Sequence, residues 1–146
     1  MVLVLTAGIA YAAGTDGFMG TWKMNEAKSK VAAGAQKNSM VVYTKDGDNV
    51  KVAIDGTDAK GAAYHSDWTG KFDGKDYALT GDPSADMRSY KVIDDHTILA
   101  ASKKGGKQIN TARIVLSADG KTRTVTLSGT DASGAKVTST QVYDKQ

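Results

Sequence analysis

The chain of 146 residues fits one domain of ordinary size and is long enough to bury a core without staples. It has no cysteine, which excludes disulfides and thiolate metal sites, and its 40% apolar content with 16 glycines and one proline describes a turn-rich globular domain rather than a disordered one. A net charge of only +3, with lysines spread beside turns (Lys45, Lys75, Lys121), excludes a concentrated phosphate-binding face, so no nucleic-acid partner is expected.

In chain order, Val2, Leu3, Val4, Leu5, Ala7, Ile9 and Ala10 open with an uncharged apolar run that ends in Ala10-Tyr11-Ala12, an A-x-A pattern ahead of Ala13. Residues 1–12 therefore read as a secretory signal without a basic start, shorter than the about 20 residues of a spanning helix. The alternative is an N-terminal strand or apolar plug. The signal reading makes the protein periplasmic or secreted, with residues 13–146 as a single barrel domain and no stable membrane insertion.

A first strand is expected over Gly20 to Met24. A helix of about two turns should follow, capped by Asn25, supported by Glu26 and Lys30 at i,i+4 and ended by Gly34. Strands are then expected at Met40 to Thr44, along Val50-Val52-Ile54, at Ala63 to Thr69, Asp76 to Thr80, Met87 to Ile93, Thr97 to Ser102 and Gln108 to Leu116, along Val125-Leu127, and at Val137 to Tyr143. Between them, Asp46-Gly47, Asp55-Gly56, Asp73-Gly74, Gly105-Gly106, Asp119-Gly120 and Ser133-Gly134 read as hairpin turns, because Asp-Gly supplies positive φ at low steric cost.

The chain also resembles itself at an offset of 73 residues. Asp46-Gly47 falls on Asp119-Gly120, Val52 on Val125, and Gly56-Thr57-Asp58-Ala59 on Gly129-Thr130-Asp131-Ala132. Either all hairpins favour the same turn residues, or a meander is used twice, with Val52 and Val125 on the same inward face. About ten strands with short connections would leave long exposed edges, and closing the sheet removes them. The fold class expected is all-β: an up-and-down antiparallel meander closed into an eight- to ten-stranded barrel with one short helix after the first strand. A two-sheet sandwich has the same periodicity and is the alternative.

Catalytic constellations are few. His65 sits mid-strand and alternates outward if Tyr64 points in, and His96 follows Asp94-Asp95 in a turn where ordinary turn chemistry accounts for it. Asp46-Gly47-Asp48-Asn49 lacks the glutamate and loop length of a calcium site. No nucleophile elbow, phosphate-cradling loop or His-Glu-x-x-His pattern occurs, so neither catalysis, nor a cofactor, nor a metal is expected.

Polar residues on strands suggest a ligand site instead: Arg88 with Tyr90, Arg113 beside Thr111 and Val115, and Gln141 with Tyr143. Placed inward, they line a wet cavity that fixes the polar end of a ligand; placed outward, the arginines are ordinary surface groups.

Phe18-Met19-Gly20-Thr21-Trp22-Lys23, with its Gly-x-Trp, resembles the first-strand signature of the calycins, the lipocalins and fatty-acid-binding proteins. Thr138-Ser139-Thr140-Gln141-Val142-Tyr143-Asp144-Lys145 is similar to the closing strand of the fatty-acid-binding proteins, and the pattern also resembles bacterial secreted lipocalin-like proteins of unassigned role. The resemblance implies a closed barrel around a cavity for a hydrophobic small molecule, no chemistry, and a tryptophan packed across one barrel end. Tyr143 and Arg113 match that family's carboxylate site, whereas Gln141 stands where it has an arginine. The seventeen residues from Lys23 to Ser39 are too few for its two-helix lid.

The expected function is non-catalytic binding or carriage of a small hydrophobic or amphipathic molecule inside a monomeric barrel. Two other classes follow from different features. A solid barrel would make the protein a structural or protein-interaction module of the envelope, and a haem- or metal-assisted enzyme would need His65 or His96 to line the cavity.

Overall fold

The computed structural model describes residues 14–130 and 133–146. The segment read as a secretory signal lies outside the described residues, as do Asp131 and Ala132 of the second repeat.

Ten strands form the architecture: β1 (Gly20–Met24), β2 (Lys37–Asp46), β3 (Asn49–Thr57), β4 (Ala63–Gly70), β5 (Tyr77–Thr80), β6 (Met87–Asp94), β7 (Thr97–Lys104), β8 (Lys107–Leu116), β9 (Thr122–Thr130) and β10 (Lys136–Lys145). Each pairs antiparallel with its neighbour in the chain, and β10 returns to β1, with Trp22 opposite Lys145 and Met24 opposite Tyr143. The sheet is therefore a closed up-and-down barrel, not a sandwich. Closure supplies backbone partners to both first and last strands, which is why a chain with so many Lys and Thr on its strands needs no other edge protection.

Alternation sets the core. Val50, Val52 and Ile54 of β3 are buried while Lys51 and Asp55 face water. Glycines at positive φ make the turns at Gly47, Gly74, Gly105, Gly106, Gly120 and Gly134.

Asp55-Gly56 is the exception among the expected turns. Gly56 lies inside β3, opposite Asn38 and Tyr64, and the chain turns after it through Asp58–Gly61. A Cβ on Gly56 would sit 2.0 Å from the Lys37 carbonyl oxygen, beside the irregularity between Asn38 and Met40, so this glycine serves close strand approach rather than a turn.

The helix after β1 is shorter than its sequence suggests, a single 3-10 turn at Glu26–Lys28. Asn25 does cap it, accepting from the Lys28 N–H. Helix growth stops because Lys30 exchanges both backbone hydrogen bonds with Thr140 of β10, at 2.7 and 2.8 Å. Glu26 pairs with Lys37 instead of Lys30.

From Lys30 the chain becomes a strap. Ala32 donates its backbone N–H to the Ser139 hydroxyl, and the strap then crosses the barrel end to Gln36, which bonds Asp82 and Ser84 in the β5–β6 connection. At the opposite end a 3-10 turn, Asp16–Phe18, closes the barrel. Phe18 and Trp22 are fully buried there, and the Trp22 indole N–H donates to the Phe18 carbonyl at 2.9 Å.

The sequence repeat is built into the barrel. β9 starts and ends 73 residues after β3, and β10 starts 73 residues after β4. Inward positions therefore correspond: Val50 to Arg123, Val52 to Val125, Trp68 to Gln141 and Gly70 to Tyr143. The first copy fills its share of the interior, with Trp68 packed edge-on against Tyr90 and Tyr77 and tilted against Phe72. The second copy places polar groups at the same depth and leaves space.

Candidate functional site

The space is a cavity of about 80 Å³ inside the barrel, lined from Gln36 and Asp82 near the strap to Arg123 and Tyr143 deeper in the lumen. It holds roughly five to eight waters by volume. Its apolar wall comes from Val41, Ile54, Ala100, Ile114 and Val125, and polar groups converge on it from several strands and the β5–β6 connection, among them Tyr43, Asp82, Arg88, Arg123, Gln141 and Tyr143. Above it the interior widens into an open funnel of about 460 Å³ lined by Ala33, Ala35, Ala59, Ile109, Leu127 and Val137. Gln36, Ser84, Asn110 and Leu127 border both spaces, so funnel and cavity are continuous at the strap.

Of the residues singled out from sequence, Arg88, Tyr90, Gln141 and Tyr143 line this cavity together. Arg113 does not. Ile114 and Leu116 are the buried residues of that strand end, so the pleat turns Arg113 outward, opposite the exposed Leu99. Thr111 and Val115 share its solvent face.

The residue that sequence reasoning missed is Arg123, which is 2% exposed. Its signal was present in the pleat: Arg123, Val125 and Leu127 are alternate residues of one strand, and the two apolar ones had marked the inward face. β9 brings it opposite Tyr143 on β10, and the barrel curvature brings Tyr43 of β2 to its other side. Nη1 donates to the Tyr43 hydroxyl at 2.7 Å, and the guanidinium carbon lies 4.4 Å from the Tyr143 ring centre, 5.1 Å from that of Tyr43 and 5.6 Å from Trp22. Three ring faces thus hold the cation.

The two arginines of the cavity are not equivalent. Arg88 is neutralised, with Nη2 3.3 Å from the Asp82 carboxylate and Nε donating to the Ser102 hydroxyl at 2.9 Å. Asp82 in turn accepts from the Ser84 backbone and hydroxyl and from Gln36. Arg123, by contrast, has no carboxylate within ion-pair distance among the described residues, and its Nε is buried without a partner.

The neighbouring phenols do not supply the missing charge. Burial pushes the Tyr43 hydroxyl up to about 12, with the Arg123 charge only partly opposing it, and burial drives Tyr143 up further. Both are neutral near pH 7. Tyr143 donates to the Gln141 side-chain oxygen at 2.7 Å, while the Gln141 amide N–H makes only a long 3.4 Å bond to the Gln36 carbonyl.

No protein-family model matches this chain, and no curated protein matches it. The site must be read from its own geometry.

The two histidines lie away from the cavity. His65 is outward on β4, its side chain 52% exposed, with Nδ1 2.7 Å from Asp55 and Nε2 3.1 Å from Asp67. These two carboxylates hold its titration above the ordinary value, the Asp55 hydrogen bond most strongly. His96 is exposed in the β6–β7 turn, where its backbone N–H bonds Asp94. Neither histidine lines the cavity, so the requirement of the haem or metal reading is not met.

Proposed function

We propose that this protein is a non-catalytic carrier of a small amphipathic molecule, held in a calycin-type barrel and exported to the periplasm or secreted. The observation that carries the reading is the continuity of a mainly apolar open funnel with a smaller cavity into which polar groups converge. Such a gradient suits a molecule with one apolar and one polar end, and a pocket lined mostly by apolar walls with a few converging polar groups is the usual form of a small-molecule site.

Size restricts the occupant. Trp68, Phe72 and Tyr90 pack against one another and fill part of the interior, so the cavity takes a polar head and a few carbons, while a larger apolar body rests in the funnel. A non-catalytic role is supported by the lining: its phenols are driven away from neutral titration and both histidines lie elsewhere.

Native and denaturing mass spectrometry of protein purified from residue 13 onward, with displacement of a fluorescent apolar probe, tests the proposal. A stoichiometric co-purifying small molecule, or saturable probe binding, is the expected result. A clean apo mass with no probe binding would sink the carrier and favour a protein-interaction module.

A further inference from the structure

We propose, resting on the carrier reading, that the molecule carried is a neutral phenol whose hydroxyl bonds the side-chain amide of Asn110 and whose ring lies over Gly129 against Val137. The packed half of the barrel holds the same arrangement within its own chain. Asn38, Gly56 and Tyr64 form one inward row across β2, β3 and β4, and the Tyr64 hydroxyl donates to the Asn38 side-chain oxygen. Alternate strands of a sheet are about 10 Å apart, so the phenol arm reaches Asn38 by crossing Gly56, which puts no side chain in its path.

The hollow half repeats two members of that row and lacks the third. Asn110 pairs with Gly129 as Asn38 pairs with Gly56, and Val137 pairs with Gly129 as Tyr64 pairs with Gly56. The backbone agrees: the register skips Ser39 in β2 and Ile109 in β8, and a Cβ on either glycine would meet a carbonyl oxygen of the preceding strand, from Lys37 or from Ile109. Valine is too short to span the glycine. The Asn110 side-chain amide accordingly has no hydrogen-bond partner among the described residues, whereas that of Asn38 holds a phenol.

The space left by the missing arm is part of the funnel. Asn110, Gly129 and Val137 all line it, Ile109 and Leu127 add apolar contact, and Asn110 also borders the inner cavity. No charged side chain lines the funnel among the described residues, which favours a neutral occupant over an ion. A phenol meets that condition, since its ordinary pKa of about 10 keeps it protonated at pH 7. Its O–H then donates to an amide oxygen as Tyr64 does.

Matched ligands test this: p-cresol, which is the tyrosine side chain ending at its Cβ, and p-methylanisole, which keeps the ring and loses the donor. Both are titrated by nuclear magnetic resonance into wild type, Asn110→Leu, Asn110→Asp and Val137→Tyr. Wild type should favour p-cresol by about two- to tenfold, the range of a neutral hydrogen bond. Asn110→Leu should abolish the preference, Asn110→Asp should retain it because a carboxylate also accepts, and Val137→Tyr should supply the missing arm and exclude both ligands.

Nuclear Overhauser contacts between the p-cresol ring protons and the Val137 methyls of wild-type protein need no variant and are expected at saturation. Their absence, equal affinity of wild type for the two ligands, or no binding of p-cresol where the fluorescent apolar probe still binds overturns the phenol assignment while the carrier stands. Failure of both ligands and of the apolar probe overturns the carrier itself.

Discussion

The Arg123 guanidinium donates to the Tyr43 hydroxyl at 2.7 Å across 80 residues of sequence, inside a barrel interior where neither group meets a carboxylate. This contact joins β9 to β2 through the lumen, and it satisfies one donor of a cation that also lies against the Tyr43 and Tyr143 rings.

Tyr43→Phe removes that acceptor and leaves a buried guanidinium N–H unpaired. The expected loss is about 1–3 kcal/mol of unfolding free energy in urea titration, with the cavity otherwise intact. A loss too small to measure would mean that the three rings alone satisfy Arg123.

Alkaline pH should destabilise the fold through the same phenols. The folded-state values of Tyr43 and Tyr64 are raised by burial to about 12, against 10.0 when exposed. A raised folded value contributes stability that is complete below the unfolded value and is lost as pH rises through the folded one. Stability should therefore be flat approaching pH 10 and fall between 10 and about 12, a window to be followed by tyrosinate absorbance together with circular dichroism.

His65 gives the opposite end of the pH scale. Its folded value lies above the ordinary 6.5 because Asp55 and Asp67 flank both ring nitrogens. The attraction is present at low pH and disappears as pH rises through the raised value. Proton nuclear magnetic resonance of the imidazole should show the elevated midpoint, Asp55→Asn should lower it more than Asp67→Asn, and an unshifted midpoint in wild type would contradict the clamp.

Asp82→Asn breaks the ion pair with Arg88, whose side chain is 11% exposed against 1% for Asp82. Leaving a buried arginine without its partner should cost about 3 kcal/mol or more by thermal or urea unfolding. An unfolding free energy that does not change would argue that Arg88 does not depend on Asp82 for its charge balance.

Gly56→Ala and Gly129→Ala probe the two copies of the repeat at one equivalent position. The added Cβ meets the Lys37 oxygen at 2.0 Å in the first and the Ile109 oxygen at 2.9 Å in the second. Both should destabilise, by about 1–3 kcal/mol for overpacking, with Gly56→Ala clearly the worse. Equal midpoints in urea would show that β2 shifts freely at its bulge.

Local chemistry in the chain was sufficient for the all-β class, the ten strands and all but one of the expected turns. Alternation and Asp-Gly act between near neighbours, so a reader of the sequence sees them directly. The same parity carried a signal for Arg123, which alternates with Val125 and Leu127, and against Arg113, which adjoins the buried Ile114, yet the expected site took Arg113 and passed over Arg123. The stop at Lys28 was not legible, because it depends on Thr140, more than a hundred residues away. Nor was the role of Gly56, which the Lys37 carbonyl decides.

By itself, then, the sequence determined the strand pattern and the repeat, since each follows from side-chain periodicity and turn chemistry within short reach, whereas closure, which pairs Trp22 with Lys145, was decided between barrel and sandwich only by the fold. Only the tertiary structure decided which inward groups meet. Trp68 and Gln141 occupy equivalent places in the two copies, yet one half is packed and the other hollow, because a barrel interior is filled across its diameter. Arg88 is neutralised and Arg123 is not for the same reason: Asp82 arrives from a connection on one side of the lumen, and the other side is left with its charge.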